Sequence, residues 1–248
     1  TQKHQDGIPV WNSMTRKRQD SPGYACMVES MDENIGRVLQ TLKSEDLEKD
    51  TLVIFFSDNG GLCTGSGPNM PTSGLPLRAG KAWLYEGGIR VPLIIKFPGK
   101  IKKGITVKEP VAGTDLYPTI LDYLNLPLIP DQHMDGESVK PLITNGKSLN
   151  REAVYFHLPH YHHINSMGPS GAIRKGDYKL IEVFETGNYE LYNVRKDIGE
   201  NHNLASTMPK VVQELADDLK TWRKKSNARM AILNKDYDPA SDFRRKKK

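Results

Sequence analysis

The run Thr51-Leu52-Val53-Ile54-Phe55-Phe56-Ser57 restricts the fold of this chain more than any other stretch. It is short, continuously apolar and rich in β-branched and aromatic residues, the pattern of a strand buried on both faces in a parallel sheet with helices on either side. Ahead of it, Ser21-Pro22 offers an N-cap and a first-turn proline. Apolar residues then recur at Tyr24, Val28, Met31, Ile35, Val38, Leu39 and Leu42, a helical period with one face turned inward. Helix followed by buried strand is half of an α/β unit. Val91–Phe97 reads as a second buried strand. Asp115–Leu124 reads as a short helix, capped by Asp115 or Thr114, with Leu116, Ile120, Leu121 and Leu124 facing the core.

The pattern changes near residue 147. Ala153–Phe156, Gly171–Arg174, Tyr178–Phe184 and Tyr189–Asn193 are short strand candidates. Lys175-Gly176-Asp177 and Thr186-Gly187-Asn188 read as turns between them, so an antiparallel meander is expected. Pro209 then opens a helix with Val212, Leu215, Leu219 and Trp222 on one face. The expected architecture is α/β: part of a mixed, mostly parallel sheet with flanking helices over residues 1–146, and a small antiparallel subdomain with a final helix and basic tail over 147–248.

Bulk properties set limits. A chain of 248 residues with 37% hydrophobic and 26% charged residues can bury a useful core. No apolar run approaches the roughly 18 residues of a membrane span. The beginning, from Thr1 to Asp6, lacks both a Met and an apolar stretch, so it is no secretory signal and reads as processed or truncated. Much of the net charge of +5 sits in Arg244–Lys248, a solvated basic tail or a polyanion-binding segment. No nucleic-acid-binding signature accompanies it. Two cysteines form no metal or disulfide pattern; Cys26 falls on the inward helix face as a core thiol, and Cys63 lies in a Gly-rich loop open to solvent.

Chemistry concentrates where the first strand ends. In Ser57-Asp58-Asn59-Gly60-Gly61, Asp58 offers carboxylate oxygens and Asn59 a carbonyl oxygen, both hard ligands suited to Ca²⁺ or Mg²⁺. Ligands bind beyond the carboxyl ends of strands in open α/β sheets. An ordinary Asp-Asn-Gly-Gly turn is the alternative. The loop runs on to about Pro76, a length that is uncommon without a function. Gly80-Lys81 follows, and the Lys81 ammonium is a point charge able to hold a sulfate or phosphate oxygen. Arg90 and Glu86 read as structural, one as a salt-bridge partner and the other as a loop anchor. His157, His160, His162 and His163 cluster in seven residues, at a spacing unusual for zinc.

A strand ending in Ser57-Asp58-Asn59-Gly60-Gly61, followed by Gly80-Lys81 and Tyr85-Glu86-Gly87-Gly88-Ile89-Arg90-Val91-Pro92, resembles the second half of the type I sulfatases, members of the alkaline phosphatase superfamily. Tyr24–Asp32 is similar to the helix before their metal-binding strand, and Asp115–Thr119 to their Asp-x-x-Pro-Thr helix. Ala172–Leu180, Glu190–Asn193 and Glu200–Leu204 resemble their C-terminal subdomain.

The resemblance implies a role for each matched position. Asp58 and Asn59 match two ligands of a divalent cation, usually calcium, with magnesium possible. Lys81 matches a lysine that contacts sulfate. His157, His160 and His162, on the loop joining the two parts, would face the organic part of a sulfated small molecule or sugar, with Gly168–Gly171 helping to close the pocket. The family nucleophile is a formylglycine made in a Cys/Ser-x-Pro/Ala-x-Arg motif. Neither Cys26 nor Cys63 stands in one, so that residue is expected in a missing N-terminal half, and this chain alone is expected to be inactive. A phosphate or phosphonate ester hydrolase of the same superfamily, or a binding module without chemistry, are the other readings. By resemblance the compartment is secreted, periplasmic or lysosomal.

Overall fold

A computed structural model describes residues 14–65, 70–162, 167–232 and 234–236. Strand β1 (Met14–Thr15) leads to helix α1 (Pro22–Ser44), which starts at the expected proline. Strand β2 (Val53–Phe56) is the core of the apolar run, and β3 (Thr64–Gly65) pairs antiparallel with β1. One turn of helix, α2 (Glu86–Ile89), precedes β4 (Leu93–Lys96), and two short helices follow, α3 (Leu116–Tyr123) and α4 (Lys140–Asn145). Four strands of six residues each come next: β5 (Ala153–Leu158), β6 (Ser170–Lys175), β7 (Tyr178–Val183) and β8 (Asn188–Asn193). Helix α5 (Pro209–Lys225) ends the fold.

The α/β class stands, with two departures in its first part. Strands β2 and β4 pair with each other antiparallel, Val53 opposite Lys96 and Phe56 opposite Leu93. They are not buried on both faces: Phe56 is 39% and Ile94 61% exposed. Helix α1 forms as its periodicity requires, yet none of its residues is buried. Tyr24, Ile35, Leu39 and Leu42 are half-covered, while Val28, Met31 and Val38 are exposed. Periodicity gives a helix an apolar face; it does not supply the surface that covers it. Cys26 is accordingly exposed, not a core thiol.

Helix α3 buries Pro118, Thr119, Leu121 and Tyr123, and leaves Leu124 half exposed. Asp115 does not cap it through its side chain. Its fully buried carboxylate instead accepts the Ala112 and Glu137 N–H groups and both Nη groups of Arg151, so it ties the turn before α3 to the chain on either side of α4.

The meander forms in the expected order, β5-β6-β7-β8, with a two-residue turn at Gly176 and a wider one around Gly187, each glycine at positive φ. Alternation divides its side chains between two layers. Ile173, Leu180 and Leu191 face α5, packing with Leu215, Ala216 and Leu219. Ala172, Ile181 and Tyr192 face the opposite way, onto Ala79, Trp83, Leu84 and Tyr85. The second layer matters for the site: the loop that carries Lys81 is packed on the far face of the C-terminal sheet.

Candidate functional site

Two glycine-rich segments cross at the end of β2. The Gly60 N–H donates to the Gly88 carbonyl and the Lys81 N–H to the Gly61 carbonyl, both at 2.9 Å. No side chains fit between these backbones. A Cβ on Gly60 would lie 1.7 Å from the Gly87 oxygen, one on Gly88 2.1 Å from the Trp83 oxygen, and one on Gly80 2.4 Å from the Gly61 oxygen. Glycine is therefore required at each position for close approach. Cys63 sits beneath the crossing, 1% exposed, not open to solvent as its loop suggested. Burial pushes its thiol above the ordinary range, which leaves it a packing residue.

The crossing presents Asp58 and Lys81 to solvent and leaves Asn59 half-buried. One Asp58 oxygen accepts the Asn59 N–H at 2.9 Å, and the Asn59 amide nitrogen donates to the Gly60 carbonyl at 3.0 Å. Among the described residues the second Asp58 oxygen and the Asn59 side-chain oxygen accept no hydrogen bond, and both are hard donors of the kind a divalent cation takes. Among the described residues, no three His, Cys, Asp or Glu side chains are placed to hold a metal ion. Asp58 and Asn59 thus fit as a fraction of a site needing six to eight oxygens. Among the described residues the Lys81 ammonium forms no hydrogen bond or ion pair, and the side chain is exposed.

Beneath the loop its anchors are fully paired. Glu86 binds Arg90 at 3.3 Å, which gives Arg90 the salt bridge expected of it and names its partner. It also binds Lys179 at 2.9 Å, and the Glu86 N–H donates to Glu200 at 2.7 Å. Burial raises the Glu86 carboxyl, but the Lys179 ammonium and the Arg90 guanidinium together outweigh it and hold Glu86 below the usual carboxylate range. Glu200 shares that ammonium, yet its burial wins and its carboxyl is raised. Arg78 lies over the Tyr85 ring, 3.9 Å from its centroid, and donates to the Tyr192 hydroxyl and the Glu200 carbonyl. Tyr85 and Tyr192 both donate to Glu190, and burial followed by that carboxylate raises both phenols.

These anchors were not anticipated as a group. A signal existed: Lys179 occupies the same strand face as Ile181 and Val183, where alternation calls for an apolar residue. A lysine there needs a buried carboxylate partner.

The histidines separate. His157 lies on β5 and turns toward α5, with its ring against Phe184 and Trp222 and its Nε2 2.7 Å from the Arg229 carbonyl oxygen. Its neighbours Phe156 and Leu158 face the loop instead. The sheet therefore stands between His157 and the Lys81 loop, and its ring packs on the α5 side. His160 is exposed, His162 is half-buried, and His163 lies outside the described residues. Gly168, Pro169 and Ser170 are buried, Ser170 and Gly171 as the start of β6, not an open pocket wall.

A family model described as Sulfatase matches residues 2–126, and one described as N-sulphoglucosamine sulphohydrolase, C-terminal, matches residues 79–225. The chain belongs to the sulfatase family. It is 34% identical to a sulfatase of Formosa agariphila over 244 residues, covering 89% of this chain and 43% of that protein. The structure of BT4656 in complex with D-glucosamine-2-N,6-O-disulfate superposes with a TM-score of 0.67 at 31% identity, covering 81% of this chain and 40% of that one. Ps i-CgsB in complex with a neocarrahexaose gives a TM-score of 0.71 at 28% identity, covering 83% and 44%. This sulfatase chain thus spans less than half the length of the relatives it matches. Among its described residues no helix is long and apolar enough to cross a membrane.

Proposed function

We propose that this chain is the C-terminal portion of a sulfuric ester hydrolase, in which Asp58 and Asn59 hold one side of a divalent cation and Lys81 contacts the sulfate group. The observation carrying this reading is the glycine crossing. Two backbone hydrogen bonds of 2.9 Å bring the Asp58-Asn59 turn and Lys81 together, although they are separated by more than twenty residues. A sulfate ester is an anion, and positioned positive charge stabilises the negative charge that develops during its hydrolysis. Lys81 would supply one fixed positive charge to an equatorial sulfate oxygen. Asp58 and Asn59 would orient a calcium ion, or magnesium in its place, and such an ion when bound neutralises charge that develops on the sulfate oxygens. The formylglycine nucleophile and the remaining ligands belong to the N-terminal half of the enzyme.

The open surfaces of the chain support the same reading. Val28, Met31 and Val38 on α1 and Ile94 on β4 are exposed apolar residues in one α/β unit, as expected where a further part of the sheet and its helices would pack. The proposed substrate is a sulfated sugar, because two relatives above are in complex with a sulfated glucosamine and a neocarrahexaose. His160 and His162 remain candidates for contact with its organic part. By family the enzyme is secreted, periplasmic or lysosomal.

The test compares this chain with the protein produced from its whole reading frame. Both are assayed on an aryl sulfate, a sulfated glucosamine and matching phosphate and phosphonate esters, with Ca²⁺ or Mg²⁺ titrated. Sulfate release by the whole protein alone is expected. Turnover by the isolated chain removes the two-half account. Preference for the phosphorus esters moves the enzyme to another branch of the superfamily, and no turnover on any of them leaves a binding module.

A further inference from the structure

Lys179 is fully buried in β7, an inner strand, in register with Arg174 on one side and Tyr192 on the other. Its Nζ donates to the Leu84 carbonyl at 3.0 Å and to Glu86 Oε1 at 2.9 Å, and it is ion-paired with Glu200 Oε1 at 2.6 Å. Leu84 and Glu86 follow Lys81 by three and five residues. Glu200 closes the arrangement, since its other oxygen accepts the Glu86 N–H. One ammonium from the C-terminal sheet therefore grips the main chain just beyond Lys81. A sheet face lined by Ile181 and Val183 gains nothing in packing from a charge, and a buried ammonium is costly unless fully compensated.

We propose that Lys179 is a positioning residue for Lys81: it fixes the 81–90 segment against the C-terminal sheet so that the Lys81 ammonium is held where the sulfate lies. The inference rests on the reading of Lys81 as the sulfate contact. Both glutamates serve Lys179, and Arg90 on the solvent side and Arg174 on the neighbouring strand complete the charged groups around it. Misplacement of a charge by about 1 Å can cost on the order of a hundredfold in rate.

The test uses the protein from the whole reading frame. Lys179→Met alone leaves two buried carboxylates short of a partner and risks misfolding. Lys179→Met combined with Glu200→Gln avoids this, because Glu86 keeps Arg90 and the new amide oxygen still accepts the Glu86 N–H. Hydrogen exchange is read at the amides of Lys81, Trp83, Gly87, Gly88 and Arg90, all hydrogen-bonded in the native loop. The double variant is expected to lose protection there while β5–β8 keep theirs. Its kcat on a sulfate ester is expected to fall about ten- to a hundredfold with KM little changed. Unchanged protection at those amides overturns the proposal, as does loss spread evenly through β5–β8. Loop opening with native kcat also overturns it. A native protein without sulfatase turnover defeats the reading of Lys81, while the exchange result still decides whether Lys179 holds the loop.

Discussion

Gly60 lies so close to Gly87 that a Cβ added to it would stand 1.7 Å from the Gly87 carbonyl oxygen. The contact is backbone on backbone, so no side-chain rotation relieves it. Gly60→Ala is therefore expected to destabilise by about 3 kcal/mol or to prevent folding. Gly36→Ala is the contrast: its Cβ meets nothing within 4 Å in the middle of α1, and it should stabilise by roughly 0.5–1 kcal/mol. Thermal melts of the two variants in parallel check both signs, and equal melts would refute the crossing.

Lys81 joins that crossing through its main chain, and its side chain is exposed. In the whole protein Lys81→Ala should leave the melting temperature unchanged and lower kcat by about 10²–10³, the range seen when one preorganised charge-stabilising group is removed. Asp58→Ala should shift the Ca²⁺ concentration for half-maximal activity upward, with activity partly recovered at high Ca²⁺. A fully active Asp58→Ala protein with native Ca²⁺ dependence would end the metal assignment.

His157 and His160 should respond differently. The His157 ring packs on Phe184 and Trp222 and bonds Arg229, so His157→Ala should cost about 1–2 kcal/mol of stability with KM unchanged. His160 is exposed, so His160→Ala should leave stability intact, and any effect should appear in KM for a sulfated sugar. Melts and steady-state kinetics on the two variants separate these roles.

Asp122 gives a pH-dependent contribution. Burial raises its carboxyl, but the Ser138 hydroxyl and the Lys140 ammonium, at 2.6 and 2.9 Å, outweigh burial and bring it below its ordinary value of 3.8. A carboxyl lowered in the folded state favours folding above its unfolded value, and that contribution fades as pH falls below about 4. The side chain is 29% exposed, which limits the contribution to about 1 kcal/mol or less. Asp122→Asn should lower the melting temperature at pH 7, and the difference from the native protein should shrink as pH falls below about 4; a difference that stays constant would contradict this.

The C-terminal meander was legible in nearly every element, because short strands joined by glycine turns are local and the alternation that builds them is also what buries them. The Asp58-Asn59 turn and Lys81 were legible as residue types. Less could be read of their surroundings. The α1 periodicity was right about the helix and silent about its cover, and the same apolar face that implied a buried Cys26 is open in this chain. His157 was grouped with His160 and His162 because they are close in sequence, but β5 ends at Leu158, so only His157 has its direction set by the sheet.

The amino-acid sequence alone determined the elements, the glycines and the family, since each depends on neighbours within a few residues or on a motif kept in order. Only the tertiary structure decided which residues meet. It placed Lys81 beside Gly61, turned His157 to the far side of the sheet, and put Lys179 under the loop between Glu86 and Glu200. The physical reason is the cost of buried charge. An ammonium in a sheet core is tolerated only if distant carboxylates converge on it, and that convergence is a property of the folded chain, invisible in a strand read by itself.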